Sequence, residues 1–462
     1  MAMHYQGFEV EIFEKVHEFL RLGDSLGLGE NALRLLKRWG LHDQLIALGN
    51  KSEFMQIRHW KTGKVMAQQP AMDMAGYIGH RGDYHRAFLD RVEELGIKIN
   101  MGCTVVSYDE NEPSLTLVNG DVHKADVIIA ADGIKSLARE LVLGFEDKPK
   151  SSGYACYRAY FKGTHLKQDP LCREFVDKEC INIWIGPDVH LVQNTLRDGE
   201  EFNWILTHKD TEDITESWFQ PGNMDDVRET IKDLDPRIAA AVRKTEECLD
   251  WKICYRDPIP SWVSKSHKIV LLGDSCHPHL PTSAQGASQA TESAAVLALC
   301  LKFAGEGNVA LATRVYEKLR FDRVRKCQRN GEDVRDRWHG ALQKLDAGES
   351  INPEDVMMRN RWLYPFDAEA DTIQRWKETA ALVEEELAKG QITPLFTISS
   401  EIMYFYILVQ RSTEYIINIL VCQGLRKMGA KVSGNSTTSV GAGRLELTLR
   451  GRLGVKVYDR EK

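Results

Sequence analysis

Two short apolar runs are each followed by a Gly–Asp or an Asp–Gly pair and then by a helical pattern. Residues 269–274 read IVLLGD, and residues 126–133 read DVIIAADG. A continuous apolar run of this length predicts a fully buried strand, because it is too short for a helix. Helices are predicted after the runs, at 285–298 and at 136–143. This order of strand, acidic turn and helix favours an α/β fold.

The loop that follows residues 269–274 has the composition of a cofactor site. It contains Pro278 and Pro281 and leads into a small-residue helix that begins near residues 285–287 (QGA). A helix N-terminus offers free backbone N–H groups at the carboxyl edge of a strand. Asp274 can accept hydrogen bonds from a ribityl or ribose hydroxyl, and Gly286 lets the backbone approach a flat ring. The competing interpretation is an ordinary βα unit with an aspartate in its turn.

Other segments alternate with the period of a half-buried strand. Residues 8–14 (FEVEIFE) predict a strand, and residues 54–60 and 64–68 predict a hairpin. From residue 153 to 208 the chain is rich in strand patterns, which predict an antiparallel sheet that encloses a substrate. The expected architecture is therefore α/β: a Rossmann-like domain, an inserted mostly antiparallel β domain and C-terminal helices.

The first strand pattern ends at Glu14, the position where a dinucleotide-binding unit carries the acid that binds ribose hydroxyls. Such a unit begins with a strand and a GxGxxG loop about thirty residues earlier. The only glycine before Glu14 is Gly7. We therefore expect either an N-terminally truncated relative of such proteins or a short form with weakened cofactor binding. An edge strand with an exposed acid is the alternative for this segment alone.

Further helices are predicted from caps and periodicity. Residues 22–45 form a glycine-rich loop leading into a helix, and residues 80–84 (HRGDY) begin another helix with Asp83 as its N-cap. Residues 309–336 predict a long charged helix whose charges form a solvated face, although a binding surface is the alternative.

Composition excludes several classes of protein. The chain has 462 residues, 43% of them hydrophobic, and 60 basic against 67 acidic residues give a net charge of −7 without long runs. This distribution lacks a nucleic-acid footprint. The ten cysteines form no CxxC pair, which favours reduced thiols over a metal site. Residues 402–421 are apolar but interrupted by charges, so we expect no membrane span and a cytoplasmic protein of unspecified oligomeric state.

The stretch GDSCHPHLPTSAQGASQATE (273–292) resembles the GD-type flavin motif of FAD-dependent aromatic hydroxylases, the salicylate-hydroxylase-like group A flavoprotein monooxygenases. The resemblance implies that Asp274 binds the ribityl chain of FAD. It also implies that Pro281, Gly286 and Ala287 border the flavin and the oxygen site.

Four more elements resemble this family in the expected order. Residues 22–45 are similar to its GAGIxLxPNAxRxL stretch, which implies cofactor contact at Gly27, and HRGDY is similar to HRxDL, which implies FAD contact by Arg81. ADGIKSLAR resembles the DG motif, which implies that Asp132 lies at FAD and the nicotinamide nucleotide. Arg158, in CYRAY, matches an arginine that orients or deprotonates phenolic substrates. A surface arginine on the outward strand face is the alternative for Arg158.

The resemblance also implies an activity and a division of the chain. We expect NAD(P)H- and O2-dependent hydroxylation of a phenolic or carboxylated aromatic compound, with secondary-metabolite biosynthesis as one setting. The first part of the FAD-binding domain is expected at 1–150, the substrate domain at 151–262, the second FAD-binding part with helices at 263–390 and an unassigned tail at 391–462. Asn194 stands where the family often has a tyrosine, so we expect a different substrate or orientation. A catalytically inactive protein on the same fold is the rival hypothesis.

Overall fold

Short strands and helices alternate in the first third of the chain, strands dominate the middle, and long helices follow. The computed structural model describes residues 1–396 except 22, 72–75, 211–219, 348, 350 and 359–360. The helices of these residues are α1 Ala2–Tyr5, α2 Glu30–Arg38, α3 His42–Leu48, α4 Arg81–Glu94, α5 Leu137–Leu143, α6 Met224–Thr230, α7 Pro236–Arg243, α8 Gly286–Ala304, α9 Val309–Asp346 and α10 Ala368–Lys389. The strands are β1 Glu11–Phe13, β2 Ser25–Leu28, β3 Phe54–His59, β4 Val65–Pro70, β5 Tyr77–His80, β6 Lys98–Asn100, β7 Val105–Asp109, β8 Ser114–Leu117, β9 Val122–Lys124, β10 Ile128–Ala130, β11 Lys150–Lys162, β12 Ile181–Gly186, β13 Val189–Leu196, β14 Glu201–Lys209, β15 Pro221–Gly222, β16 Cys248–Tyr255 and β17 Ile269–Leu271.

Two parallel strand pairs form at the predicted apolar and alternating runs. Strand β10 pairs with β17 so that Ile128 lies opposite Ile269, and β1 pairs with β6. Parallel strands have their carboxyl ends at one edge. The Asp–Gly and Gly–Asp turns that follow β10 and β17 therefore lie at the same edge of this pair. The predicted buried strands and the α/β class are confirmed.

The middle of the chain builds one eight-stranded sheet in the order β15-β16-β11-β14-β13-β12-β3-β4. All its neighbours are antiparallel except β12 and β3. The predicted antiparallel sheet is confirmed, and the predicted hairpin at 54–68 joins it as β3 and β4. The sheet therefore includes strands from within the first predicted domain. The proposed division at residues 150 and 262 remains a prediction.

One face of this sheet packs on α6 and α7 to form the main apolar core. Trp184 and Trp204 are fully buried there, and their indole N–H groups donate to Asp235 at 3.3 Å and Thr245 at 2.9 Å. Each buried indole thus keeps a hydrogen-bond partner, as a desolvated donor requires. The opposite face packs in part on α9, where His190 of β13 contacts Trp338.

Helices α8, α9 and α10 pack together, and a buried carboxylate joins two of them. Glu292 of α8 is fully buried; it accepts hydrogen bonds from Arg320 at 2.6 Å and from Arg323 at 2.7 Å, both on α9. Asn31 of α2 and Gln289 also donate to this carboxylate. Burial by itself raises the pKa of Glu292, but the charges of Arg320 and Arg323 outweigh burial and lower it. The carboxylate is therefore retained in the charged form.

The predicted N-cap of α4 is wrong. The side chain of His80, not Asp83, caps this helix: its Nδ1 accepts from the Gly82 N–H at 3.0 Å. Asp83 lies in the first turn and forms an ion pair with Arg21 at 2.6 Å. A short acid near a helix start predicts a cap only when no neighbouring acceptor reaches the free N–H groups first.

The segment 22–45 also differs from its prediction. It contains strand β2, which pairs with β5, and then two helices, α2 and α3, instead of one loop and one helix. Long-range pairing with β5 converts the glycine-rich loop into a strand. Local sequence carries no signal for such a partner.

Within the described residues, no helix is both long enough and apolar enough to cross a membrane. The predictions for the segment 402–421 and for most of the tail lie outside the described residues.

We expect Glu292→Gln to lower the free energy of unfolding by about 3 kcal/mol, because two buried guanidinium groups lose their counter-charge. Urea unfolding at constant FAD concentration measures the change. The matched control is Glu385→Gln, whose ion pair with Lys389 is exposed and is worth less than about 1 kcal/mol. Equal losses in the two variants would contradict a structural role for the buried network.

Candidate functional site

Asp274 lies in the GD turn that follows β17. Asp274 is solvent-accessible, and no hydrogen bond to another described residue satisfies its carboxylate. Burial by surrounding protein raises its pKa, while the charge of Arg81 lowers it. An accessible but partly desolvated acceptor is suited to polar hydroxyl groups of a bound molecule.

The N-terminus of α8 follows this turn after the loop 276–285 and carries no side-chain cap. Gln285 is the N-cap residue, and Ala284 before it has a left-handed φ of 49°. A non-glycine residue in this region stores strain, which is typical of functional loops. A Cβ at Gly286 would meet nothing closer than His279 at 3.9 Å, so Gly286 and Ala287 leave the helix start open. The observed start confirms the helix predicted at 285–287.

Side chains of α8 connect its N-terminus to the end of β2. The Ser288 hydroxyl accepts from the Gly29 N–H at 3.0 Å, and the Asn31 side chain donates to Oε1 of the Gln285 side chain at 3.2 Å. Gly27 lies two residues before Gly29, on β2 opposite Ile78. The structure therefore brings the predicted Gly27 segment and the GD loop to one place.

Arg81 lies close enough to the GD turn for its charge to lower the pKa of Asp274. The Arg81 N–H donates to the Asp24 carbonyl at 2.8 Å, and the Arg81 side chain lies beside Gly23, where a Cβ would be 3.1 Å from it. Glu14 follows β1 and accepts from the Val16 N–H at 3.0 Å. Burial lowers the pKa of His85; the charge of Arg81 also lowers it, and the charge of Glu14 raises it. Arg81 and Glu14 therefore both lie near His85.

Asp132 lies at the same sheet edge but already has protein partners. Its carboxylate accepts from the Tyr108 hydroxyl at 3.3 Å and from the Leu137 N–H at 3.1 Å. Arg139 is buried and donates to Asp147 at 2.7 Å and to the Ser275 carbonyl at 3.2 Å. Arg139, in the helix that follows the DG turn, therefore stabilises the end of the GD turn through a hydrogen bond to its backbone.

Arg158 is buried on the sheet face opposite the α6–α7 core. Its side chain is 5% exposed, lies over the Trp251 ring and donates to Asp24 at 3.0 Å. Burial lowers its pKa to about 10, although the Asp24 charge raises it. The alternative of a surface arginine is wrong. Its Nε is buried without a hydrogen-bond partner, so one donor of the guanidinium remains available.

Two amide side chains lie on the same face as Arg158. Asn194 and Asn203 are opposite residues on β13 and β14, and opposite residues point to the same side of a sheet. Asn203 donates to Ser25 at 3.1 Å but its Oδ1 has no partner, and neither amide atom of Asn194 has one. Unpaired buried amides cost free energy, so they mark places where a ligand can supply partners.

A crevice separates this face from the loop before α8. It is lined by Tyr154, His190 and Thr207 of the sheet and by Leu280, Pro281 and Thr282 of the loop. Pro281, predicted at the oxygen site, therefore faces this sheet. The crevice therefore lies between the loop that carries the flavin motif and the sheet face that carries the polar residues.

Sequence reasoning missed several polar residues of this region. Asp24, Asn203 and His190 have no predicted role, and Gln285 is predicted at the oxygen site only as part of the turn at 285–287. Alternation along residues 190–207 placed these strands in a sheet, but it did not indicate which face was free. That depends on the α6–α7 core, which occupies the other face.

Comparison with known proteins identifies the family of the chain. The profile of the family described as "FAD binding domain" matches residues 1–329. The 6-hydroxynicotinate 3-monooxygenase of Pseudomonas fluorescens is 33% identical over 337 residues, which are 71% of this chain and 85% of the relative. The FAD-dependent monooxygenase notI of Aspergillus sp. (strain MF297-2) is 29% identical over 395 residues, which are 82% of this chain and 89% of the relative.

Solved structures show the same fold. The crystal structure of CtdE in complex with FAD and a substrate superimposes with a TM-score of 0.75 at 28% identity and covers 83% of this chain and 95% of CtdE. Salicylate hydroxylase in a substrate complex gives a TM-score of 0.66 at 18% identity over 80% of this chain and 98% of that chain, a likeness in fold alone.

His279 in the loop before α8 predicts a pH dependence of stability. Burial lowers its pKa to about 4, below the value of about 6.5 in the unfolded chain. The unfolded state therefore takes up the proton first, and stability falls as pH decreases from about 6.5 to 4, by up to about 1.4 kcal/mol per unit. His279→Gln should lose less stability over this range than the parent chain in urea unfolding. The exposed His4→Gln is the control, and an unchanged slope in His279→Gln would contradict this account.

Proposed function

The chain belongs to the FAD binding domain family, with FAD-dependent monooxygenases as its relatives, and from this premise we propose that it hydroxylates a phenolic or carboxylated aromatic compound with NAD(P)H and O2. The observation that carries this proposal is Arg158, a buried guanidinium on the sheet face that borders the crevice, with an Nε that lacks a protein partner. A guanidinium with a free donor is suited to a phenolate or carboxylate.

The residues around the GD turn fit FAD. The unpaired carboxylate of Asp274, the buried and unpaired Nε2 of Gln285 and the uncapped start of α8 are polar groups that the protein leaves unsatisfied. A ribityl chain offers hydroxyl donors to the carboxylate, and a flavin ring offers carbonyl oxygens to amide and backbone N–H groups. Asp274, Gly286 and Ala287 would hold the ribityl and ring portions.

The remaining predicted residues fit the rest of the cofactor. Glu14 would bind the adenosine ribose, Arg81 would pair with an anionic part of FAD, and Gly27 would lie beside the cofactor. Asp132, which is bound to Tyr108 and to α5, would act at the edge of the site. FAD, when bound, supplies hydride acceptance from the nicotinamide nucleotide and the activation of O2.

The protein side of the reaction is binding, orientation and exclusion of water. Arg158 would hold an anionic oxygen of the substrate, because its charge is desolvated and therefore acts strongly. The free amide atoms of Asn194 and the Oδ1 of Asn203 would accept and donate further hydrogen bonds and so orient the ring on this sheet face. Pro281 and the apolar parts of the crevice would keep water from the reacting atoms.

The name of the Pseudomonas relative supports this substrate class. 6-Hydroxynicotinate carries both a ring hydroxyl and a carboxylate, the two groups for which Arg158 is suited. To test the proposal, the chain is purified and its visible spectrum is recorded with and without added FAD. Product formation is then assayed with NADH or NADPH and a panel of aromatic substrates that contains 6-hydroxynicotinate and salicylate. If the chain remains colourless with added FAD, it is a catalytically inactive protein on the same fold. If NAD(P)H is consumed and only peroxide forms, the aromatic substrate class is rejected.

We expect Asp274→Ala to weaken FAD binding about tenfold or more, since a carboxylate that accepts hydrogen bonds from hydroxyls contributes about 1.5–3 kcal/mol. Fluorescence titration of the apo-protein with FAD measures the change. The control is Asp121→Ala, an exposed aspartate in the turn between β8 and β9. Unchanged affinity in Asp274→Ala would remove Asp274 from the cofactor site.

We expect Arg158→Lys to reduce hydroxylation of the best panel substrate about tenfold while the FAD content stays unchanged. Lysine keeps a positive charge for Asp24 but cannot present two parallel N–H donors. Product formation per NAD(P)H consumed measures the effect, and Arg173→Lys at an exposed ion pair is the control. Equal product formation in Arg158→Lys and the parent chain would show that the guanidinium does not orient the substrate.

A further inference from the structure

Asn194 is a buried asparagine whose carboxamide has no hydrogen-bond partner in the described part of the chain. It lies on β13 and is 1% exposed, and both its Oδ1 and its Nδ2 are unpaired. A buried amide that stays unpaired lowers stability, because on folding it loses its hydrogen bonds to water and gains none in return. The stability of the fold therefore does not explain an asparagine at this position.

Neighbouring amides on the other face of the same sheet are paired. Side chains alternate between the two faces of a strand, so Gln193 and its opposite residue Asn182 point away from the face that carries Asn194. Asn182 donates to Gln193 at 2.9 Å and accepts from Arg58 at 2.9 Å. Gln193 also donates to Thr195 at 2.9 Å. These buried amides have structural partners, and Asn194 differs from them.

The residues opposite Asn194 on the same face are apolar on one side and polar on the other. On β12 its opposite residue is Ile181, which is 2% exposed, and on β14 it is Asn203. Asn203 donates to the Ser25 hydroxyl at 3.1 Å, and its Oδ1 has no partner among the described residues. Opposite residues of an antiparallel pair have Cβ atoms about 5 Å apart. One complete carboxamide and one further acceptor therefore lie side by side.

We propose that Asn194 determines substrate specificity by binding a cyclic amide, in which an N–H and a C=O group are adjacent on the substrate ring. The proposal rests on the proposed function, because it concerns the sheet face that is assigned there to the aromatic substrate. It narrows the substrate class to N-heteroaromatic compounds in their lactam form. The asparagine at this position was also the reason to expect a different substrate or orientation from the sequence.

A carboxamide and a lactam are complementary in hydrogen bonding. Oδ1 of Asn194 accepts the ring N–H, while Nδ2 donates to the ring carbonyl, so both unpaired groups of the side chain are satisfied at once. A phenol of the same shape has a single polar group at this edge, and it leaves one of the two amide groups buried and unpaired. A site built to bind two adjacent polar groups therefore rejects the analogue that lacks one of them.

A structural role and a binding role of Asn194 predict opposite effects of an apolar replacement. Leucine has nearly the shape of asparagine. If the amide has no partner in the folded protein, Asn194→Leu loses no hydrogen bond and gains apolar burial, so the urea midpoint of unfolding stays unchanged or rises. The matched control Asn182→Leu removes a buried amide that is paired, and we expect it to lower the urea midpoint.

Specificity is tested with two pairs of ligands that differ within each pair in one ring atom. The first pair is 6-hydroxynicotinate, which has a lactam form, and its carbon analogue 4-hydroxybenzoate. The second pair is 2-quinolone and 2-naphthol, which carry no carboxylate and therefore test the ring edge without an anionic group for Arg158. Isothermal titration calorimetry gives the Kd of each ligand for the FAD-loaded parent chain, Asn194→Leu and Asn182→Leu.

We expect the parent chain to bind 6-hydroxynicotinate and 2-quinolone at least tenfold more tightly than their carbon analogues, since each analogue leaves a buried amide group unpaired. Asn182→Leu should keep these ratios, and Asn194→Leu should reduce both to within about twofold of one. Equal affinities within each pair in the parent, unchanged ratios in Asn194→Leu, or a parent holoenzyme that binds none of the four ligands would overturn the proposal.

A urea midpoint of Asn194→Leu that falls as far as that of Asn182→Leu would assign Asn194 a structural role and also overturn the proposal. The proposed function is judged separately, by FAD uptake, NAD(P)H-dependent flavin reduction and hydroxylated product. Calorimetry requires no turnover, so the two proposals can fail independently. A holoenzyme that hydroxylates an aromatic acid but binds both members of each pair equally retains the proposed function and rejects the role of Asn194.

Discussion

The buried carboxylate of Glu292 is the interaction on which the site geometry depends. It lies two turns inside α8, and its partners come from α2 and α9, namely Asn31, Arg320 and Arg323. A buried charge demands all of these partners in place, because losing any of them leaves an uncompensated charge. Since Asn31 also bonds Gln285, the network sets the start of α8 against the end of β2. The open helix start and the glycine segment that face the proposed cofactor are thus positioned from behind by an ion cluster.

The large sheet supplies the opposite wall, and it does so because its two faces have different roles. Trp184 and Trp204 anchor one face to α6 and α7. The other face is then free to carry polar groups such as Arg158, Asn194 and Asn203, which an ordinary core would exclude. Their unsatisfied atoms are tolerated because the apolar core and the ion cluster stabilise the scaffold elsewhere. The two faces of a single sheet therefore differ in polarity.

Local sequence predicts the parts of this arrangement that arise from short-range physics. The apolar runs before Asp132 and Asp274 and the helix start at Gly286 follow from residue pattern alone. The pattern fails where a distant partner decides the outcome. His80 takes the cap expected of Asp83, and β5 converts the loop around Gly27 into a strand. The contact between Tyr154 and His339 joins residues 185 positions apart, and no periodicity in either segment indicates it.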